Sequence, residues 1–195
     1  MIAQRHISTR FLALVSFAAV ALTPAVAEVR VTQQKDSVTV EINGEAFTTL
    51  HFGKQVRKPF LHPLRTASGK IITRGYPVDT QPGEEQRLPH QVGVWMGHER
   101  LNGVDYWEVD PRAVPKRKVG SVVLKDITRM EQAVDRGSVS FVADWVDPDG
   151  VAVVNENRTM AFSVGPEDSR IIDIDFRMEA LQRITINDHT DGILG

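Results

Sequence analysis

Apolar and polar residues alternate along much of the chain with the period of two that is typical of β-strands. The clearest case is residues 172–179, where Ile172, Ile174, Phe176 and Met178 alternate with charged residues. Because successive side chains of a strand point to opposite faces, this segment is predicted to be a half-buried strand. No long segment repeats its apolar residues with the period of a helix.

Turn-forming residues separate the strand candidates. Asn43-Gly44 is a two-residue hairpin signal, and acidic, proline-containing or glycine-containing turns lie at 147–150 and 165–168. The predicted strands cover residues 38–42, 45–52, 70–74, 91–97, 120–128, 138–146, 151–164, 172–179 and 182–188. The fold is therefore predicted to be all-β, most simply an antiparallel β-sandwich of two packed sheets.

The first 27 residues have the organisation of a secretory signal peptide. Arg5 and Arg10 form a positive n-region before an apolar run over 11–22. Residues 25–27 then form a small-x-small cleavage site. The run is shorter than the about 20 apolar residues that span a bilayer, which favours cleavage over an uncleaved anchor. We therefore expect a periplasmic or secreted protein without membrane attachment after cleavage.

Composition narrows the class of the remaining chain. Residues 28–195 suit one domain, and their formal charge of −4 excludes the basic face that general nucleic-acid binding needs. The chain has no cysteine, so no disulfide framework is predicted. The sequence identifies neither a cofactor nor an oligomeric state.

Residues 59–108 combine cationic, acidic and aromatic side chains with glycines and prolines, a mixture that suits a polar ligand pocket. The candidate catalytic residues are His62, His90 and Asp105. The candidate substrate-binding residues are Arg65, Arg74 and Trp107.

Each of these residue types has a chemical reason to be a candidate and a structural alternative. A histidine can pass a proton near neutral pH, two arginines can bind a carboxylate such as a uronate, and a tryptophan can stack on a sugar ring. The alternatives are a loop histidine bonded to the backbone, surface arginines paired with Asp79, Glu84 or Glu85, and a tryptophan packed in the core.

The histidine spacing does not predict a metal site. His90 and His98 would share a face of one continuous strand but lie about 25 Å apart, too far to bind one ion. Asp105 and Glu108 provide two acids near Trp107, but sequence does not give the separation of about 5–10 Å that a glycosidase requires.

Six segments in order resemble the secreted family labelled methane oxygenase PmoA-like. They are residues 62–77, 88–95, 102–108, 143–150, 157–162 and 186–192. The resemblance implies a β-supersandwich similar to aldose-epimerase-like folds, a setting among sugar-processing bacterial proteins, and a domain that is incomplete at its C-terminal end. Of the histidine-rich segment typical of that family, residues 87–91 keep one proline and His90.

The functional hypothesis is a secreted protein that acts on or binds carbohydrate, with a small molecule or glycan as its ligand. A catalytic version would use acid–base chemistry, as in epimerisation or glycosidic cleavage. One alternative is a non-catalytic sugar-binding module with the same pocket. A further alternative is the metal-dependent oxidase that the family label implies, which the missing histidines weaken.

Overall fold

The protein is an all-β structure built from antiparallel sheets. A computed structural model describes residues 28–110, 114–189 and 191–195, so the signal peptide predicted over 1–27 lies outside the described residues. The strands are β1 (Val29–Gln33), β2 (Ser37–Ile42), β3 (Glu45–His51), β4 (Phe60–Leu61), β5 (Val94–His98), β6 (Val104–Asp105), β7 (Lys118–Val119), β8 (Ser121–Gln132), β9 (Arg136–Val146), β10 (Ala152–Val164), β11 (Arg170–Ala180) and β12 (Gly192–Leu194). Among the described residues, no helix is long and apolar enough to cross a membrane.

Two sheets form the body of the fold. The first has the order β1-β2-β3-β4-β5-β12, and the second has the order β11-β10-β9-β8. A short parallel pair, β6 with β7, lies outside both sheets. The predicted hairpin between β2 and β3 is confirmed, because Asn43 and Gly44 both adopt the positive φ angles that a tight hairpin turn requires.

The core lies between the two sheets, where β1 packs against β8 and β9, and β2 packs against β10. Strand β9 shows why: Val139, Phe141, Ala143 and Trp145 are buried, while the residues between them are partly exposed. This period-two burial matches the sequence pattern, so the prediction of packed antiparallel sheets is confirmed.

Two predicted strands are wrong. Residues 70–74 form only an isolated bridge between Ile71 and Arg65, because the Oγ1 of Thr73 accepts the N–H of Leu64 and the chain turns back on itself. Residues 182–188 likewise form only a bridge between Ile186 and Leu101. Their β-branched residues gave the strand signal, but no neighbouring strand is placed to extend the pairing.

A charged pair lies inside the core on β10. The Nε of Arg158 donates to Oε1 of Glu156 at 2.5 Å, and the Nε1 of Trp145 donates to Oε2 of Glu156 at 2.8 Å. Both charged side chains are fully buried, and the Nη1 and Nη2 of Arg158 have no hydrogen-bond partner in the described part of the chain. Glu156 is therefore the group that compensates the buried guanidinium.

We expect Glu156→Gln to lower the free energy of unfolding by about 3–5 kcal/mol, because it leaves the buried Arg158 charge uncompensated. The matched control is Glu131→Gln on β8, which removes an exposed ion pair with Arg129 and is expected to cost under about 1 kcal/mol. Urea unfolding of the two variants measures the difference. Equal unfolding midpoints would contradict a compensating role for Glu156.

Candidate functional site

Five side chains from four segments of the chain meet beside strand β5, and we call them the aromatic cluster: Lys58, His90, Trp95, Trp107 and Glu108. The rings of Trp95 and Trp107 are in edge contact, with centroids 4.0 Å apart. The ring of His90 lies 6.2 Å from that of Trp95 and 6.4 Å from that of Trp107. The cluster therefore combines a base, an acid and an amine around two indole rings.

Asp105 holds one side of the aromatic cluster in place. Its Oδ1 accepts the backbone N–H groups of Trp107 at 2.8 Å and of Glu108 at 2.9 Å. Its Oδ2 pairs with the Nη1 of Arg117 at 3.2 Å. The carboxylate predicted to be catalytic is thus buried and fully engaged, and in this structure it positions the two residues that follow it.

His90 and Glu108 form a buried hydrogen-bonded pair. The Nδ1 of His90 lies 2.9 Å from Oε2 of Glu108, whose Oε1 accepts the N–H groups of Val109 and Asp110. Burial alone would raise the pKa of Glu108, but these hydrogen bonds, with that from His90 the strongest, lower its pKa to about 2.

His90 and Glu108 have different chemical roles in this pair. Glu108 is ionised at neutral pH, so Nδ1 of His90 carries the hydrogen that is donated to it. The Nε2 of His90 makes no hydrogen bond to any residue in the described ranges, which leaves it available as the atom that accepts or releases a proton.

Lys58 is the residue of the cluster that sequence reasoning missed. It is only 3% exposed, its Nζ lies 3.3 Å from the centroid of a Trp95 ring, and it donates a hydrogen bond to the carbonyl of Trp107. Burial lowers the pKa of Lys58 well below its usual range, and the charges of Glu108 and Asp105 oppose this only in part. The proline and two apolar residues that follow it are the sole hint in the sequence, and they do not reveal the tryptophans.

A pocket of about 170 Å³ opens beside this lysine. Its polar lining comes from Gln55, Arg57 and Lys58. Its apolar lining consists of Val56, Phe60, Pro77, Val78, Pro89, Val92 and Val109. We call this space the Lys58 pocket. Pro89 and Val109 in its lining adjoin His90 and Glu108 in the chain, so the His90–Glu108 pair lies beside the pocket.

The other sequence candidates lie outside the aromatic cluster. His62 is buried, with Nδ1 3.1 Å from Oγ1 of Thr73 and Nε2 3.5 Å from Oδ2 of Asp79. Burial lowers the pKa of His62, and Asp79 partly opposes the shift. Its partner Asp79 lies next to Val78, so His62 is close to the Lys58 pocket without lining it.

Arg65 and Arg74 lie in different surroundings and do not form one carboxylate-binding site. Arg74 donates to the carbonyl of Leu88 at 2.9 Å and to Oε1 of Gln91 at 3.3 Å, which fixes the loop that carries His90. Arg65 instead lines a separate cavity of about 530 Å³ together with Arg170. The suggested pairing of these arginines with Asp79, Glu84 or Glu85 is also wrong, since Asp79 contacts His62 and Glu85 binds Arg87.

A second polar cluster lies on the other side of Asp105. Arg117 pairs with both Asp105 and Glu99, and the Nδ1 of His189 lies 2.8 Å from Oε2 of Glu99. With Asp191, the residues Glu99 and His189 place three ligand atoms within 4.8 Å of one another, the spacing a divalent cation requires. Glu99 already contacts Arg117 and His189 here, which accounts for the cluster without an ion.

Comparison with known proteins gives a family but no function. A family model matches residues 37–195, and its description is a family of unknown function (DUF6807). No curated protein and no solved structure matches the chain. The resemblance to the PmoA-like methane oxygenase family is therefore wrong, because the motifs that carried it belong to the matched region of this other family.

The low pKa of Glu108 predicts acid sensitivity. The pKa of Glu108 is the ordinary 4.5 in the unfolded chain and about 2 in the folded protein. The ionised carboxylate therefore stabilises the fold fully above about pH 4.5. This stabilisation, up to about 3 kcal/mol, disappears as the pH falls towards about 2. In urea unfolding, wild type should therefore lose more stability over this range than Glu108→Gln.

Glu85→Gln is the matched control for this measurement. The pKa of Glu85 is also lowered to about 2, chiefly by its hydrogen bond from Arg87, but that pair is exposed and solvent screens it. We expect Glu85→Gln to follow the wild-type pH dependence closely. The same flattening of the pH profile in both variants would contradict a special role for the buried pair.

Proposed function

The chain belongs to DUF6807, a family of unknown function, and we propose that it is a secreted or periplasmic protein that binds and processes a small sugar at the Lys58 pocket. The observation that carries the proposal is the pairing of His90 with an ionised Glu108 beside that pocket. This arrangement orients the imidazole and leaves one ring nitrogen for proton transfer.

The size and lining of the pocket favour a small carbohydrate. A volume of about 170 Å³ is below the ~300–1,000 Å³ of pockets for drug-sized ligands, so a single sugar unit is favoured over an oligosaccharide. The apolar walls suit the C–H faces of a sugar. The side chains of Gln55, Arg57 and Lys58 offer hydrogen bonds to its hydroxyl groups.

Epimerase-like chemistry fits the pair better than glycosidic cleavage. A glycosidase needs a protonated carboxylic acid beside the scissile bond, whereas Glu108 is held ionised and Asp105 is bound to Arg117 and two backbone N–H groups. Removal and return of a proton next to a sugar carbonyl needs only a positioned base, and the imidazole of His90 can supply one.

A non-catalytic sugar-binding role is the second candidate. The pocket is lined by Lys58 but not by His90 or Glu108, so a sugar bound there need not reach the proton-transferring pair. A module of this kind would bind the sugar through the pocket walls, and the protonation of His90 would not affect binding.

The test combines a thermal melt with hydrogen exchange. The chain is melted with a panel of monosaccharides and uronates, and a sugar that binds the native state raises Tm. Stabilising sugars are then incubated with the protein in D₂O, and NMR follows the exchange of the hydrogen next to the carbonyl carbon. We expect His90→Gln to keep the rise in Tm and to slow the exchange by about 100-fold or more.

His98→Gln is the matched control, because His98 is a partly exposed histidine of β5 outside the aromatic cluster. It should preserve both the rise in Tm and the exchange. Stabilisation without exchange in wild type selects the binding module. No rise in Tm with any sugar contradicts the proposed function.

A further inference from the structure

We propose that Lys58 is a covalent carbonyl-binding site, whose amine forms an imine with the aldehyde or ketone carbon of an open-chain sugar in the Lys58 pocket. The inference rests on the proposed function for its substrate class, and it adds a reacting residue that acid–base chemistry at His90 does not require.

The environment of Lys58 differs from that of every other lysine in the chain. The other six, Lys35, Lys54, Lys70, Lys116, Lys118 and Lys125, are exposed. Lys58 alone is buried, and no carboxylate in the described ranges lies within ion-pair distance of its Nζ. Its contacts are the face of Trp95 and the carbonyl of Trp107, and neither partner carries a negative charge.

Burial shifts the protonation equilibrium of Lys58 towards the neutral amine. The pKa of Lys58 is lowered by desolvation, which raises the fraction of neutral amine near neutral pH. A neutral amine that donates one hydrogen to the carbonyl of Trp107 still has a lone pair, and that lone pair is the nucleophile in imine formation.

The pocket supplies the second requirement, a space beside the lysine. Lys58 lines it directly, and most of the remaining lining is apolar. These walls offer the imine few competing polar groups, and the volume of about 170 Å³ limits the reaction to small carbonyl compounds.

The chemical step balances without any further reagent. The nitrogen lone pair attacks the carbonyl carbon, and one proton of the amine moves to the oxygen to give a carbinolamine. The second nitrogen proton and the hydroxyl group then leave as water, so a C=N bond replaces the C=O bond. The imine acidifies the neighbouring C–H bond, and His90 faces the same tryptophan pair as Lys58.

The experiment traps the imine with a small aldehyde. The chain is incubated with glycolaldehyde and cyanoborohydride near neutral pH, and peptide mass mapping measures the hydroxyethyl group on each lysine. We expect Lys58 to react about tenfold faster than the exposed lysines, because each unit of lowered pKa gives about ten times more neutral amine. Lys58→Arg should lose this rapid labelling, and Lys54→Arg, at an exposed lysine four residues earlier, should keep it.

Labelling of Lys58 no faster than that of Lys54 would overturn the inference. The two proposals also fail separately. Trapping at Lys58 with no sugar that raises Tm would leave the reactive lysine and remove the sugar-processing function. Sugar-dependent stabilisation without trapping would keep the function and exclude the covalent step.

Discussion

The candidate site depends on the buried carboxylate of Asp105. One of its oxygens holds the N–H groups of Trp107 and Glu108, and the other is held by Arg117. This turn points Glu108 at His90 and brings the carbonyl of Trp107 to the amine of Lys58. Asp105 does not line the Lys58 pocket, yet it positions the carboxylate and the carbonyl that His90 and Lys58 contact, because hydrogen bonds to a charged acceptor are strong and directional.

The site places two opposite electrostatic solutions side by side. Glu108 is buried and stays charged, because three hydrogen bonds replace the water that it loses. Lys58 is buried without a carboxylate partner in the described ranges, and this burial lowers its pKa well below the usual range. On a surface, these two groups would form an ordinary ion pair. Here the environment keeps Glu108 ionised and shifts Lys58 towards the neutral amine.

Much of the fold follows from residue patterns, whereas the assembly of the site does not. The period-two alternation of β9 and β11 and the Asn43-Gly44 turn are local signals, so the sequence predicts those elements well. Residues 70–74 have the same local signal but lack a partner strand. The meeting of Lys58 with Trp107 across 49 positions depends on long-range packing. The linear spacing of His62, Arg65 and Arg74 likewise gave no indication that each would have different partners.

The buried pair of Glu156 and Arg158 also has a consequence for strand alignment. Successive side chains of β10 point to opposite faces, so a slip of one residue would turn both charges to the outside and bring Asn155 and Asn157 into the core. The neighbouring apolar pairs in β10, such as Val153 with Val154, would fill the core in either alignment. Only one alignment lets Trp145 reach Glu156, so the polar contacts within the core distinguish the native pairing of these long strands from its nearest competitor.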